Sequence, residues 1–183
     1  MATTARRWTY RDLDAIPQER EGDRQELIDG DLVVTPSPAP EHQIVSVNIG
    51  YFLGSYVREN NLGKVLYAPV DLRLTSHNVV IPDIVFIARD RLHIVGARTI
   101  DGVPDLVVEI LSPGTRNRDL VTKRDLYARF GVQEYWIVDP DVRSLSILAL
   151  RGDRFQPVPR REHNLPVSRL FPDLVIDQAD IFP

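Results

Sequence analysis

Two apolar runs constrain this chain most. Val79-Val80-Ile81-Pro82-Asp83-Ile84-Val85-Phe86-Ile87 and Pro104-Asp105-Leu106-Val107-Val108-Glu109-Ile110-Leu111 read as buried β-strands. Each is interrupted by a carboxylate, Asp83 in the first and Glu109 in the second. A carboxylate in such surroundings is costly unless it is paired or holds a metal. The chain must therefore cover both strands while giving two acids a reason to be there.

The bulk numbers allow this. At 183 residues, 43% apolar and 26% charged, the chain has the composition of one globular domain with a proper core. We expect a single domain over 1–183, with residues 1–24 as an N-terminal extension and 25–183 as the core. The net charge of −4 and a pI of about 5.6 argue against a non-specific basic coat for nucleic acid, but leave room for a local basic groove. With no cysteine there is no disulfide, thiolate zinc site or thiol nucleophile. No signal-peptide apolar region follows Met1, and no apolar run approaches roughly 18 residues. The expectation is a soluble, cytoplasmic protein with no membrane partner.

Local signals order the elements. Thr9 caps a short helix through Asp14, which Pro17 stops. Glu26-Leu27-Ile28, Asp29-Gly30 and Leu32-Val33-Val34 form a hairpin whose turn suits positive φ. Thr35 to Pro40 is a stiff, non-helical connector. From Glu41 to about Asn61 runs the longest helical pattern, with Ile44, Val47, Tyr51 and Val57 at helical spacing and Phe52, Leu53 and Tyr56 beside them. Strands are expected near 64–67, 70–75, 79–87, 105–111, 133–138 and 144–150, a surface loop over Ala88–Gly102, and a helix over Asp119–Phe130 ended by Gly131. A short strand around Phe155 and a closing Leu174-Val175-Ile176 segment complete the chain. The order favours a mixed α+β architecture, a central mixed sheet flanked by helices, over a doubly wound parallel sheet.

The acids invite a chemistry. Mg²⁺ or Mn²⁺ takes hard oxygen ligands, and Asp83, Glu109 and the Ile110 backbone carbonyl supply them. Lys123 lies 14 residues past Glu109, on the following helix, where it would orient or deprotonate a water or stabilise developing charge. Each residue also has a plain structural explanation. An Asp after Pro is often a turn residue, a buried Glu is commonly paired with Lys or Arg, and a helix lysine pairs with an acid four residues away, here Asp119.

Pro82-Asp83, Glu109-Ile110-Leu111-Ser112-Pro113-Gly114-Thr115, Asp119-x-x-x-Lys123, Tyr127 and Gly131-Val132-Gln133-Glu134-Tyr135-Trp136-Ile137-Val138-Asp139-Pro140 together resemble the Uma-two-type family of restriction-endonuclease-like nucleases, placed in the PD-(D/E)xK superfamily. The resemblance extends to Glu26-Leu27-Ile28-Asp29-Gly30, the Pro-rich connector with His42, and the 172–182 tail. It implies a restriction-endonuclease-like core with metal ligands at the fork between two strands, Asp83 and Glu109 among them. In the superfamily's commonest pattern the lysine follows the Glu by two residues; here that position is Leu111. The chain is similar to members whose lysine has migrated to the next helix, where Lys123 stands. Glu26 matches a recurrent family Glu that reaches the metal directly or through water; as a strand-start residue it is equally an exposed one.

Arg116, Arg118 and Arg124 surround the Lys123 helix and, with His42, are candidate contacts for nucleic-acid phosphates. Asp119 and Asp125 offer the alternative of a solvated, charge-balanced face. Tyr135-Trp136-Ile137-Val138 is a core strand, not a base-stacking platform. Four histidines, His42, His77, His93 and His163, have no zinc spacing, and no phosphate-loop or serine-hydrolase motif is present. The leading expectation is a Mg²⁺- or Mn²⁺-dependent DNA endonuclease. An inactive nucleic-acid-binding or interaction module of the same fold is the alternative, and a phosphodiesterase on small nucleotides is the third. The 144–150 strand and the long helix offer surfaces for a homodimer.

Overall fold

The computed structural model describes residues 7–13, 15–17, 22–161 and 165–183. Asp14, the expected end of the first helix, and His163 lie outside them. The element order is α1 (Tyr10–Leu13), β1 (Arg24–Ile28), β2 (Asp31–Thr35), α2 (Pro40–Glu59), β3 (Gly63–Tyr67), β4 (Asp71–Thr75), β5 (Asn78–Val80), β6 (Ile84–Ala88), a 3₁₀ turn (Arg89–Ile94), β7 (Thr99–Asp101), β8 (Leu106–Ile110), a π-helical turn (Arg118–Lys123), α3 (Arg124–Phe130), β9 (Glu134–Asp139), β10 (Ser144–Arg151), β11 (Arg154–Pro157) and α4 (Gln178–Ile181).

Local chemistry accounts for several of these. Asp29 (φ 51) and Gly30 (φ 84) make the two-residue turn of the β1–β2 hairpin, the left-handed pair that matches strand twist. Pro40 opens α2 at its first turn, where the missing N–H removes nothing. Gly131 (φ 86) ends α3 in the left-handed conformation. At the start of α1 the Asp12 carboxylate reaches back to Thr9, whose N–H and hydroxyl both donate to Asp12 Oδ2, at 2.9 and 2.7 Å.

The expected single central sheet is instead two mixed sheets. One has the order β2-β1-β5-β4-β7, the other β11-β10-β9-β8-β6-β3. The run 79–87 is split between them: β5 belongs to the first and β6 to the second, with Ile81-Pro82-Asp83 crossing over. Proline has no N–H for a ladder, and the chain changes sheet at Pro82. The expected loop over Ala88–Gly102 contains the 3₁₀ turn and β7, whose Thr99 and Ile100 are buried and pair in parallel with β4. The Leu174-Val175-Ile176 segment forms no strand; the chain closes with α4.

Both faces of the six-stranded sheet are covered, which explains its unbroken apolar strands. One face carries Ile84, Phe86, Leu106, Val108 and Trp136, packed under Val45, Ile49, Leu53 and Val57 of α2 and Phe171, Ile181 and Phe182 of the tail. The other carries Val85, Ile87, Val107, Tyr135 and Ile137, packed against Leu126 and Tyr127 of α3 and against Ile28, Leu72 and Val80 of the second sheet. Tyr135 and Trp136 are fully buried, as a core strand requires. On α2 the buried face matches the expected one only in part: Leu53 and Val57 are buried and Phe52 and Tyr56 pack on the core. Ile44, Val47 (67% exposed) and Tyr51 (68% exposed) face outward, and Val45, Ile49 and Leu53 take the core.

Glu134 is a buried acid that serves the fold. Its Oε2 accepts from Trp136 Nε1 at 2.9 Å and Ser168 Oγ at 2.7 Å, and its Oε1 from the Arg169 and Leu170 N–H groups. Three of these four donors, from residues 168–170, tie the tail to β9. Glu134→Ala is expected to cost about 1–3 kcal/mol in urea unfolding, and to increase proteolysis of the tail ahead of global unfolding. A protein as stable as the parent would show that the tail is held otherwise. No helix among the described residues is long and apolar enough to cross a membrane.

Candidate active site

Strand alternation places the acids. β6 pairs antiparallel with β8 in the register Ile84↔Val108, so Asp83, just before β6, stands opposite Glu109. Both follow the parity of Val85 and Val107, and so point to the face that carries α3 and the second sheet. From that second sheet β1 contributes Glu26, in step with Ile28. Lys123 arrives from the π-helical turn after β8. All four are buried: Glu26 2% exposed, Asp83 4%, Glu109 3% and Lys123 3%.

Lys123 Nζ sits between two of the acids, 2.8 Å from Glu26 Oε1 and 3.0 Å from Glu109 Oε1, with Asp119 Oδ1 at 3.9 Å. The Tyr127 hydroxyl donates to the same Glu109 Oε1 at 2.8 Å, and the Ile81 N–H to Glu26 Oε1 at 2.7 Å. Asp83 is held separately. Arg24 Nη1 reaches its Oδ1 at 3.2 Å, while His42 Nε2 (3.2 Å) and the Ile110 N–H (2.8 Å) meet its Oδ2. These residues, Tyr127 excepted, line a cleft of about 210 Å³ together with the Pro36-Ser37-Pro38 connector and with Ser112, Gly114 and Thr115.

The electrostatics follow from burial and neighbours. Burial, with Asp119, Asp83 and Glu26 close by, pushes the Glu109 carboxyl up to about 8 against the pull of Lys123. Burial also raises Asp119. For Asp83 burial is outweighed by the hydrogen bond and charge of His42, the Ile110 N–H and Lys123, and its carboxyl is lowered. Burial by itself would lower Lys123, but Glu109, Glu26 and Asp119 together raise it well above the ordinary lysine value.

Two expected site residues lie elsewhere or have other commitments, while Ile110, expected through its carbonyl, is at the cleft. Arg116 is held by Asp139, at 3.0 and 2.6 Å, which ties the 112–117 loop to the end of β9. Arg124 lies outside the cleft beside Asp125, 3.6 Å away. Ile110 lines the cleft and its N–H goes to Asp83. Arg118 and His42 do line the cleft. Arg24 is a site residue that the sequence reading missed. Its signal was there: it precedes Glu26 by two on the same strand and so shares its face.

The cleft offers carboxylate oxygens, the type of donor that a hard divalent cation takes. The second oxygens of Glu26 and Glu109 take no hydrogen bond among the described residues. No three acid or histidine groups among those residues already converge as a cage, because Lys123 Nζ holds the place between Glu26 and Glu109.

A family model described as "Putative restriction endonuclease", Uma2, matches residues 9–179. The chain belongs to the Uma2 family. This Uma2 member is also similar in structure to a crystal structure of a "putative nuclease belonging to DUF820" from Anabaena variabilis. The TM-score is 0.75 with 20% sequence identity, covering 95% of this chain and 97% of that one. At that identity the likeness concerns the fold. No curated protein matches the chain.

Proposed function

We propose that the chain is a Mg²⁺- or Mn²⁺-dependent endonuclease that hydrolyses DNA phosphodiester bonds. The observation that carries this is the meeting of Glu26, Asp83, Glu109 and Lys123, from four different elements, in one buried cleft. Asp83, Glu109 and the Ile110 carbonyl would hold the cation, with Glu26 next to them. Bound there, a divalent ion polarises the phosphate and makes a water more acidic. The protein's own groups supply the rest. Arg24 and His42 fix Asp83, and the Tyr127 hydroxyl takes Glu109 Oε1, leaving Oε2 for a ligand. Lys123, held protonated by its carboxylates, acts as a fixed positive charge for negative charge developing on the phosphate, and not as a base.

The test is cleavage of supercoiled and single-stranded DNA with Mg²⁺, Mn²⁺ or EDTA, with Asp83→Ala purified in parallel. Metal-dependent cutting that disappears in the variant is the expected result. Equal cutting by both proteins would place the activity in a contaminant or another site. One observation favours a second reading, a binding module without turnover: Lys123 already offsets Glu26 and Glu109. Multiple turnovers by the wild type would remove it.

A further inference from the structure

Among the described residues only two side-chain nitrogen or oxygen atoms that are themselves sealed from solvent lack a hydrogen-bond partner: His42 Nδ1 and Arg118 Nε. Both residues line the cleft that holds the four acids. The two orphans are not equivalent. An imidazole nitrogen accepts or donates according to its protonation, and His42 is engaged with Asp83 through its other nitrogen. Arg118 Nε can only donate. A buried N–H on a cation without an acceptor is costly, so such a group points to an acceptor that arrives with a ligand.

The backbone is wound to put Arg118 there. In an α-helix, residues five apart lie about 140° round the axis from each other. The turn Arg118–Lys123 is π-helical, and i→i+5 bonding stacks its first and last residues on one face. Arg118 and Lys123 therefore both reach the cleft. The guanidinium is then braced from outside the helix, with Nη2 donating to Thr35 Oγ1 at the end of β2 at 2.6 Å. One donor is spent on positioning, and Nε is left over.

We propose that Arg118 is the anion-binding arm of the cleft, presenting its Nε–H to a non-bridging oxygen of a phosphodiester. The ligand class rests on the nuclease reading above. The structure itself supplies a donor without an acceptor beside the carboxylate pocket. A guanidinium suits this better than an ammonium, because its planar fork serves Thr35 and a phosphate at once.

Fluorescence anisotropy of labelled single- and double-stranded DNA oligonucleotides over a salt series, in EDTA, tests this without turnover. Arg118→Gln is expected to weaken binding about 5- to 10-fold and to reduce the salt slope by about one. Arg98→Gln, which removes an exposed charge before β7, is expected to change neither by as much. Arg118→Lys keeps a positive charge but lacks Nε, and is expected to bind nearly as weakly as the glutamine variant. Circular dichroism and thermal unfolding confirm that each variant is folded. Binding by Arg118→Gln equal to wild type overturns the proposal, as does full recovery in Arg118→Lys or an absence of binding by the wild type. A protein that binds through Arg118 but never cuts keeps this inference and loses the nuclease. One that cuts normally while binding ignores Arg118 does the reverse.

Discussion

Lys123→Ala is expected to destabilise the protein by about 3–5 kcal/mol at neutral pH, the usual effect of removing one partner from a buried ion cluster. The lysine lies 2.8 Å from Glu26, 3.0 Å from Glu109 and 3.9 Å from Asp119, and these acids are buried. Without it, the three carboxylates face one another in a site that already raises Glu109 and Asp119 by burial. The sign of the pH dependence follows. A carboxyl whose folded value is raised gives stability that is fully present below its unfolded value and is lost as pH rises through the folded one. The variant is therefore expected to be most stable near pH 4–5 and to lose stability more steeply than wild type toward pH 8. Lys123 in the wild type is itself raised, so its contribution persists through neutral pH and is lost only in strong alkali. Lys123→Met, which fills the volume without the charge, should behave like the alanine variant, separating lost charge from lost packing. Urea unfolding at pH 5 and pH 8, with and without Mn²⁺, measures all of this. Manganese should restore part of the loss by taking the place of the ammonium. A variant equal to wild type at pH 8 would show that the carboxylates protonate at little cost and need no cation.

How far the sequence discloses such a site depends on which physical signal each residue carries. Asp83 and Glu109 stand out because a two-residue period leaves them as the polar members of buried strands, and the same parity puts them on one face. The Asp29-Gly30 turn and the Gly131 helix end are legible because few residues tolerate positive φ. The long helix was legible in extent but only in part in facing. Ile44, Val47 and Tyr51 form one apolar stripe and Val45, Ile49 and Leu53 another, both at helical spacing, and only the sheet decides which is covered. The split of residues 79–87 between two sheets was hidden in the same way, since an apolar run reports burial and not its partner. β7 was hidden by its shortness and by the charges around it. The π-helical turn has no local signature. Its length suits the ion pair of Lys123 and the Tyr127 hydrogen bond, both to Glu109, which are tertiary contacts. The family motif located Lys123, but only the fold shows that it is buried against two carboxylates.

Glu109→Gln is expected to abolish metal-dependent cleavage, by roughly 10³-fold or more, if the loss matches or exceeds that of a single stabilising group in an acyl-transfer site. The substitution keeps the size of the side chain, and the amide oxygen can still accept from Tyr127 and Lys123, so the fold should survive. What is lost is an anionic ligand, and pH reports this independently of activity. Burial and neighbouring acids push the Glu109 carboxyl up to about 8. A cation requires the ionised form, so below about pH 8 binding must expel a proton. The apparent metal affinity of the wild type is therefore expected to rise about tenfold per pH unit up to that point, as one released proton requires, and then level off. Calorimetry of Mn²⁺ binding in buffers of different ionisation enthalpy counts the proton directly. In Glu109→Gln the proton release and the slope should both vanish, and any remaining binding through Asp83 should be weak and nearly independent of pH, because the Asp83 carboxyl is lowered and already ionised. Stability moves in the opposite sense. Without a divalent ion the wild type loses, between about pH 5 and pH 8, the contribution of a raised carboxyl, whereas the glutamine variant has none to lose and should unfold at more nearly constant urea concentration across that range. If Mn²⁺ binds the wild type without proton release, or if Glu109→Gln binds it with the same slope, Glu109 does not hold the cation and the cleavage chemistry belongs to other residues.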